Sequence, residues 1–369
     1  MVEPLARVLA LPLTSPATLS TLAALTAVGL LLRRFPRSRS RRRVLPVLGL
    51  VLAVLAGSST AADATNAYFG YLPHLGDAAT LLGAPGDWPV LHTGDLRLGA
   101  SGPHAGTGGV LTVRLPDRGS GFGPSTALAW LPPQYLREPH RRFAVGYLAH
   151  GSPGVAQDWF RGGQAAAVGA DLARRGLPLI IVAPQLSRGW LDDPECVDGA
   201  RERAASHLLL DVVPGIDAAL RTSRRREARL LGGMSAGGFC ALNIGLRYPE
   251  VFGNVLDLSG LGAPTHAGGV RALYGGSPAV AAARAAADSP DRYASRLRPL
   301  PPVRVWLGWG AQDRAVGPGL RRLGGQLSAR GFVVRTLVRP GAHTFRVWRP
   351  LTRLALGEAA PGLVRAAGS

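Results

Sequence analysis

The sequence predicts an α/β fold, with a mostly parallel central sheet and helices on both of its faces, preceded by two N-terminal transmembrane helices. Eight short apolar runs rich in β-branched residues, with helical patterns between most of the later ones, indicate the strands. One run ends in a Gly-x-Ser-x-Gly motif at the start of a small-residue helix. Two long apolar runs without a charge come before all of these and indicate the transmembrane helices.

The N-terminal region, residues 1–62, contains both predicted transmembrane helices. Residues 8–32 and 44–62 carry no charge, and their lengths of 25 and 19 residues are close to the roughly 20 that a bilayer-spanning helix needs. The segment between them, 33–43, is expected to stay in the cytoplasm because it is rich in arginine. The rest of the chain is therefore expected on the extracytoplasmic side of the cell membrane.

A secretory signal peptide is the alternative interpretation of this region. Its apolar core would lie in 41–61, with a cleavage site of small residues near 58–62. The apolar run before the arginines is unusually long for the charged start of a signal peptide, which favours two transmembrane helices. Both interpretations place the remainder of the chain outside the cytoplasm.

After the N-terminal region, residues 63–104 form a predicted linker or transition segment, and 105–369 form one domain. A helix is predicted at 204–220, where apolar residues recur at helical spacing. The candidate strands of the domain are 110–115, 125–131, 143–149, 179–183, 229–232, 254–258, 303–307 and 333–338.

Ser235 is the candidate nucleophile of the domain. It lies between an apolar strand and a helix start, with Gly233 two positions before it and Gly237 two positions after it. A sharp strand-to-helix turn strains the serine backbone and leaves no space for side chains at these two positions. A serine in such a turn can act as a nucleophile when a neighbouring base accepts its proton.

An acid and a histidine follow the serine in the chain order that this kind of turn requires. Asp313 comes just after a predicted strand and is the predicted acid, while His343 lies in the loop after the last strand and is the predicted general base. The imidazole would take the serine proton, and the carboxylate would fix its tautomer. Asp257, at the end of another strand, is the rival acid.

A glycine-containing loop, 150–154, follows strand 143–149 and is the expected oxyanion loop. The backbone N–H groups of Ser152 and Ala236 are predicted to form the oxyanion hole, and Ala236 is chosen because it follows the nucleophile at a helix N-terminus. His150 is a rival general base, but the chain order disfavours it, and it is interpreted as a residue that shapes this loop.

These motifs resemble those of the α/β-hydrolase esterase family, which includes S-formylglutathione hydrolases, enterochelin esterases, feruloyl esterases and secreted mycolyltransferases. The resemblance implies the α/β-hydrolase fold and a catalytic domain that performs cofactor-free acyl transfer with Ser235, His343 and Asp313. Mycolyltransferases have Asp-Gly-Leu at the oxyanion loop, where this chain has His150-Gly151-Ser152. The resemblance covers about 105–358 and rests on 147–151, 233–238, 310–313, 341–343 and Trp348.

The formal net charge of +19 would ordinarily favour nucleic acid as a partner. All 42 basic residues are arginine and none is lysine, in a chain rich in Ala, Gly and Pro, which is typical of a high-G+C genome. No nucleic-acid partner is therefore expected. Seven of the arginines lie in the predicted cytoplasmic loop: Arg33, Arg34, Arg37, Arg39, Arg41, Arg42 and Arg43.

No cofactor and no metal are predicted, because the sequence has neither a metal-binding histidine motif nor a dinucleotide fingerprint. Cys196 and Cys240 are the only cysteines. An oxidising compartment would allow a disulfide that fixes the loop of Cys196 over the active site. Two unpaired thiols, with Cys240 buried as a small apolar residue, are the equally compatible alternative.

Two further groups of side chains are open to more than one interpretation. Trp159, Phe160 and Trp190 offer apolar surface for an acyl group, although packing in the core is the simpler expectation for each of them. His207 and Asp211, one helical turn apart, are interpreted as exposed or capping polar residues rather than as a site.

The sequence thus predicts a membrane-anchored, extracytoplasmic serine esterase or acyltransferase that works through an acyl-enzyme. Its expected partners are an ester or acyl-donor substrate, with cell-envelope lipids and glycans as candidates, and the membrane. A mycolyltransferase-like transfer of a long acyl chain to a sugar hydroxyl is one alternative. A catalytically inactive module that binds lipid or glycan outside the cytoplasm is the other.

Overall fold

The computed structural model describes residues 44–71, 90–91, 106, 108–298 and 303–368. The first predicted transmembrane helix, the arginine loop and most of the predicted linker lie outside these residues. The chain divides into two units, Met1–Gly86 and Asp87–Ser369.

In the first unit, helix α1 (Val44–Phe69) is 26 residues long and includes the second predicted span. Its C-terminal part carries a hydrogen bond from the Thr65 hydroxyl to the Ala61 carbonyl at 2.8 Å. A search of the described part of the chain finds no helix with the length and apolarity needed to cross a membrane.

The second unit is built on one nine-stranded sheet with the order β1-β2-β3-β5-β4-β6-β7-β8-β9. Strand β3 is antiparallel to both of its neighbours, whereas all pairs from β5 to β9 are parallel. The strands are β1 (Val90–Leu91), β2 (Gly109–Leu115), β3 (Ser125–Leu131), β4 (Ala144–Ala149), β5 (Leu179–Pro184), β6 (Arg229–Met234), β7 (Asn254–Leu258), β8 (Arg304–Gly310) and β9 (Val333–Arg339).

The predicted mostly parallel α/β sheet is confirmed, and all eight predicted strands are present with ends that differ by three residues or fewer. Strand β1 was not predicted, because two residues are too few to show an alternating or apolar pattern. Every residue of β4, β5 and β6 is buried. Burial of both faces of a parallel strand requires helices on both sides of the sheet.

The helices of the second unit connect the strands and cover them. The predicted helix at 204–220 is present, but a π-helical stretch, His207–Val212, divides it into two short α-helices. The helices are α2 (Gln134–Arg137), α3 (Ala165–Arg174), α4 (Ala204–Ser206), α5 (Val213–Ala219), α6 (Ala236–Arg247), α7 (Gly269–Tyr274), α8 (Pro278–Ala287), α9 (Pro290–Tyr293), α10 (Gly317–Ala329) and α11 (Phe345–Gly368).

The carboxyl ends of the parallel strands meet at one edge of the sheet. Strand β6 ends at Met234, directly before Ser235, and β8 ends at Gly310, three residues before Asp313. Strand β9 ends at Arg339, four residues before His343. Because β6, β7, β8 and β9 are consecutive in the sheet, these three side chains emerge at the same edge.

Candidate active site

Ser235 occupies the turn between β6 and α6 with φ 56° and ψ −123°, outside the regions that non-glycine residues prefer. A Cβ on Gly233 would collide with the carbonyl of Gly237, and a Cβ on Gly237 would collide with the carbonyl of Ala149. Both glycines are therefore required for helix α6 to begin so close to the sheet. The turn exposes the Ser235 side chain at the carboxyl edge.

The structure brings the three predicted side chains into one hydrogen-bonded chain. His343 Nε2 lies 2.9 Å from Ser235 Oγ, and His343 Nδ1 lies 2.7 Å from Asp313 Oδ2. The Asp313 side chain is 5% exposed and that of His343 is 40% exposed, so the carboxylate is shielded while the imidazole faces solvent. This arrangement allows His343 to accept the Ser235 proton while Asp313 holds the opposite ring nitrogen.

Trp348 fixes one side of the His343 ring. Its indole meets the imidazole edge to face with ring centroids 4.8 Å apart, and Trp348 is itself 7% exposed. Phe345 packs against Trp348 at 5.1 Å, also edge to face. Since both aromatic residues belong to the first turns of α11, the helix that follows the His343 loop also restricts the orientation of the ring.

Asp257, the rival acid, has a different environment. It is fully buried at the end of β7, and its Oδ1 accepts a hydrogen bond from the Gly260 N–H. Its Oδ2 has no hydrogen-bond partner among the described residues. Burial, with a further contribution from the charge of Asp313, raises the pKa of Asp257 to about 8. A carboxyl group that is neutral at pH 7 cannot stabilise an imidazolium.

His150 contacts the backbone through both ring nitrogens. Its Nδ1 lies 2.8 Å from the Gly151 carbonyl, and its Nε2 accepts a hydrogen bond of 3.1 Å from the Leu186 N–H. Burial lowers the pKa of His150 to about 4, so the ring is neutral. These contacts leave neither nitrogen for Ser235 and join the 150–154 loop to the segment after β5.

The predicted oxyanion loop lies against the nucleophile turn. A Cβ on Gly151 would be 3.4 Å from the Cβ of Ser235, which measures how closely the two segments approach. Ala236 is the first residue of α6, so its N–H has no acceptor within the helix. The Ser152 hydroxyl donates to the Asp192 carbonyl at 3.3 Å, which connects this loop to the segment 186–196.

A disulfide joins Cys196 to Cys240, with the two Cα atoms 5.1 Å apart. Cys240 is fully buried on α6, so the bond connects the nucleophile helix to the loop after β5. The neighbouring Glu195 is also buried, and its Oε1 accepts hydrogen bonds from the N–H and hydroxyl groups of Thr265. Burial raises the pKa of Glu195 to about 7.

The three candidate aromatic residues of the acyl site are placed differently from one another. Trp159 is fully buried, and its Nε1 donates to the Ala149 carbonyl at 2.9 Å, which agrees with the simpler expectation of packing in the core and excludes it from an acyl surface. It instead supports the end of β4 before the oxyanion loop, a role that no sequence pattern indicated. Trp190 is 57% exposed, and Phe160 is partly buried.

The expectation that His207 and Asp211 are exposed or cap a helix is wrong, because both side chains are fully buried and in contact with each other. They lie at strand β3, apart from Ser235. Within the part of the chain that the structure describes, no group of three or more His, Cys, Asp or Glu residues could hold a metal ion.

Comparison with known proteins adds to this geometry. The family model described as "Putative esterase" matches residues 123–355. A curated protein of Mycobacterium tuberculosis named "Esterase Rv1288" is 30% identical over 254 residues, which are 60% of this chain and 54% of that protein. The chain thus spans about half the length of the curated relatives it matches, 54–56%.

Solved structures share the fold at low sequence identity. One described as a ferulic acid esterase is 20% identical with a TM-score of 0.58, covering 71% of this chain and 99% of its own. An S-formylglutathione hydrolase from Agrobacterium tumefaciens is 17% identical with a TM-score of 0.55, covering 70% of this chain and 96% of its own. Because the family match includes β3 to β9 and all three residues of the hydrogen-bonded chain, the protein belongs to the esterase family of α/β-hydrolases.

Proposed function

We propose that this chain is a serine hydrolase that cleaves carboxylic esters through an acyl-enzyme on Ser235. The observation that carries the proposal is the continuous hydrogen-bonded chain from Ser235 through His343 to Asp313, at 2.9 Å and 2.7 Å. The strained Ser235 turn supports it, because this backbone conformation is maintained at the end of β6, a strand whose residues are all buried.

In the first half-reaction, Ser235 Oγ attacks the ester carbonyl carbon while His343 Nε2 takes the hydroxyl proton. The carbonyl oxygen becomes an oxyanion that accepts hydrogen bonds from the backbone N–H groups of Ala236 and Ser152. Asp313 accepts a hydrogen bond from the Nδ1–H group of the resulting imidazolium. The carbon–oxygen bond to the alcohol then breaks, and His343 gives its proton to the departing alcohol.

In the second half-reaction, water attacks the carbonyl carbon of the acyl-enzyme. His343 Nε2 removes a proton from this water, and the oxyanion forms again in the same position. The bond between Ser235 Oγ and the acyl carbon breaks, the serine regains its proton from His343, and the carboxylic acid leaves. Each proton taken by His343 is returned, so the enzyme ends in its starting state.

Fluorophosphonate labelling and a p-nitrophenyl ester series of increasing acyl length test this proposal. Ser235→Ala is expected to lose labelling and to lose turnover by about 10³-fold or more, and His343→Ala to lose turnover to a similar extent. Ser259→Ala is the matched control, because Ser259 also follows a strand with a positive φ of 57°, but its hydroxyl has no hydrogen-bond partner among the described residues.

Each outcome of this experiment has a defined meaning. Labelling that is lost only in Ser235→Ala supports the proposal, and the ester series then ranks the acyl chains. A folded wild-type protein that is neither labelled nor active would contradict it and favour an inactive binding module. Adding glucose to the reaction and searching for an acylated sugar by mass spectrometry tests the alternative, in which a sugar hydroxyl replaces water.

The membrane location is also proposed, on the sequence of the N-terminal region. The uncharged runs 8–32 and 44–62 flank seven arginines, an arrangement that favours two spans with both ends outside the cytoplasm. In cells, the full chain is expected to resist carbonate extraction from membranes and to be digested by protease added outside. A soluble protein whose N-terminus begins near residue 62 would contradict anchoring and support the signal-peptide alternative.

A further inference from the structure

A second cleft, of about 1060 Å³, lies at the same edge of the sheet as Ser235 but beside strands β2 and β3. Ser125, the first residue of β3, and Gln185, directly after β5, both line it. Strands β3 and β6 are three positions apart in the sheet. At about 4.8 Å per strand, the cleft is roughly 14 Å from the nucleophile strand. It is therefore separate from the site described above.

Ser125, which lines this cleft, is the outer member of a second hydrogen-bonded array, whose histidine and aspartate are buried behind it. Ser125 Oγ lies 2.8 Å from His207 Nε2, and His207 Nδ1 lies 2.7 Å from Asp211 Oδ2. Asp211 also accepts hydrogen bonds from the Ser120 hydroxyl and from the Arg118 N–H. The imidazole stacks on the Phe122 ring with centroids 4.1 Å apart, so the ring cannot turn freely.

The protonation of this array determines what Ser125 presents to the cleft. Burial lowers the pKa of His207. For Asp211, burial acts to raise the pKa, but the hydrogen bonds from Ser120, His207 and Arg118 outweigh it, and the pKa is lowered. A neutral His207 carries its proton on the nitrogen that faces the Asp211 carboxylate. Its Nε2 then accepts a hydrogen bond from the Ser125 hydroxyl, and the Ser125 lone pairs remain available to accept a hydrogen bond from a ligand.

Three arginines line the cleft, and no aspartate or glutamate is among the described lining residues. Arg114 and Arg118 are exposed and form no ion pair with the described carboxylates, while Arg188 donates to the Phe122 carbonyl at 2.8 Å. The nearby Asp117 carboxylate accepts backbone N–H groups of its own loop, at 2.9 to 3.3 Å. The cleft therefore has an excess of positive charge at its rim.

Between the arginines, the lining is mostly apolar. A ligand that matches both parts has an anionic oxygen-rich head for the guanidinium groups and a hydrocarbon portion for the apolar wall. Below its second pKa of about 6, a phosphate monoester also carries a P–OH group, which can donate a hydrogen bond to Ser125. The apolar lining consists of Leu115, Pro116, Phe122, Pro124, Ala218 and Ala219.

We propose that the cleft beside β2 and β3 binds a phosphate monoester with an apolar chain, independently of the Ser235 site. Arg114 and Arg118 bind the phosphate, Ser125 accepts a hydrogen bond from its P–OH group, and the wall at Ala218 contacts the apolar chain of the ligand. The buried His207 and Asp211 are positioning residues that keep the Ser125 hydroxyl turned away from the ligand's oxygens.

Titration calorimetry of the full-length protein with dodecyl phosphate tests this proposal without any need for ester turnover. The double variant Arg114→Ala/Arg118→Ala is expected to weaken binding at least tenfold, because it removes two charge-assisted contacts. Ala218→Trp, which fills the apolar part, is expected to weaken binding to a similar degree. Inorganic phosphate and dodecyltrimethylammonium, which carry the head or the chain alone, are expected to bind far more weakly.

The matched control is Arg174→Ala/Arg175→Ala, which removes the same charge from exposed positions on and just after α3. Thermal melting of every variant checks that it is folded. Unchanged binding in the Arg114/Arg118 variant would overturn the proposal, and would mean that the probe occupies another site such as that of Ser235. An equal loss in the control variant would also overturn it, because the effect would then come from net charge alone.

Discussion

Two aspartates emerge near the carboxyl edge of the sheet, and their surroundings separate their roles. Asp313 Oδ2 is hydrogen bonded to His343 Nδ1 at 2.7 Å. Asp257 Oδ1 accepts a hydrogen bond from the Gly260 N–H, and its Oδ2 has no hydrogen-bond partner within the described structure. Burial without a cation favours the neutral form of a carboxyl group. The proposed chemistry therefore needs the charge of Asp313 and does not need a charge on Asp257.

The two isosteric amide variants are expected to differ strongly in activity. Asp313→Asn removes the charge that stabilises the imidazolium and is expected to lower kcat about 10³- to 10⁴-fold. Asp257→Asn keeps the shape of a carboxyl group that is already neutral and is expected to change kcat less than threefold. Steady-state rates on one p-nitrophenyl ester measure both. If the larger loss occurred in Asp257→Asn, the acid would have been assigned to the wrong strand.

At the scale of elements, the strand–turn–helix unit of β6 and α6 sets the position of the nucleophile. The Ser235 carbonyl accepts hydrogen bonds from the N–H groups of Gly238 and Phe239, at 2.8 and 3.1 Å, so the helix begins at the strained residue. Gly237 contacts the end of β4 so closely that no side chain fits. The nucleophile and the oxyanion loop are thus held together by backbone contacts.

Gly237→Ala is expected to separate these two segments. The added methyl group would collide with the Ala149 carbonyl, and forced overpacking of this kind costs on the order of 2 kcal/mol or more. We expect a lower free energy of unfolding in urea and a loss of ester turnover. The control Gly325→Ala places its methyl group in open space within α10 and is expected to be neutral or slightly stabilising. Wild-type behaviour of Gly237→Ala would contradict this account.

The disulfide between Cys196 and Cys240 connects α6 to the loop after β5 and closes a segment of 44 residues. On the chain-entropy estimate, such a loop closure contributes about 4 kcal/mol to the free energy of unfolding. Cys196→Ala/Cys240→Ala is therefore expected to unfold at a lower urea concentration than oxidised wild-type protein. Reductant should lower the stability of wild type but not of the variant. An alkylatable Cys196 in non-reduced protein would show that the bond is absent.

At the scale of the whole molecule, pH acts on stability through buried groups of the second unit. Burial raises the pKa of Asp257 to about 8 in the folded protein, above the ordinary aspartate value of 3.8, so between these pH values the folded state holds a proton that the unfolded state has lost. Stability from this group is complete below pH 3.8 and is lost as the pH rises towards 8. The group therefore opposes folding under alkaline conditions.

Asp257→Asn is expected to remove this dependence. Its free energy of unfolding, relative to wild type, should rise by on the order of 4 kcal/mol between pH 5 and pH 8, because the amide does not titrate. Urea unfolding of both proteins at several pH values measures the difference. A difference that stays constant with pH would mean that Asp257 is ionised in the folded protein at pH 7.

Local patterns in the sequence were enough to predict the sheet and the nucleophile turn. Apolar runs are local properties of the sequence, and so is the spacing of Gly233 and Gly237 around Ser235. A sharp strand-to-helix turn requires glycine at these two positions, independently of the rest of the fold. Chain order was enough to prefer His343 over His150, whereas Asp313 was preferred over Asp257 on the resemblance to the esterase family, because both aspartates fit the chain order. The short strand β1 could not be predicted, because it is defined by its pairing with β2 and its two residues form no pattern of their own.

Other features depend on contacts between distant segments, and these exist only in the folded chain. Folding buried Trp159 with its Nε1 hydrogen bonded to the Ala149 carbonyl, and so selected core packing over the acyl surface that the sequence had left as an alternative. It also brought Ser125 to His207, which is 82 residues away in sequence, and so turned two polar helix residues into a buried array. Burial and hydrogen-bond partners are set by the packing of the whole sheet, and these determine which polar groups are charged and which can meet a ligand.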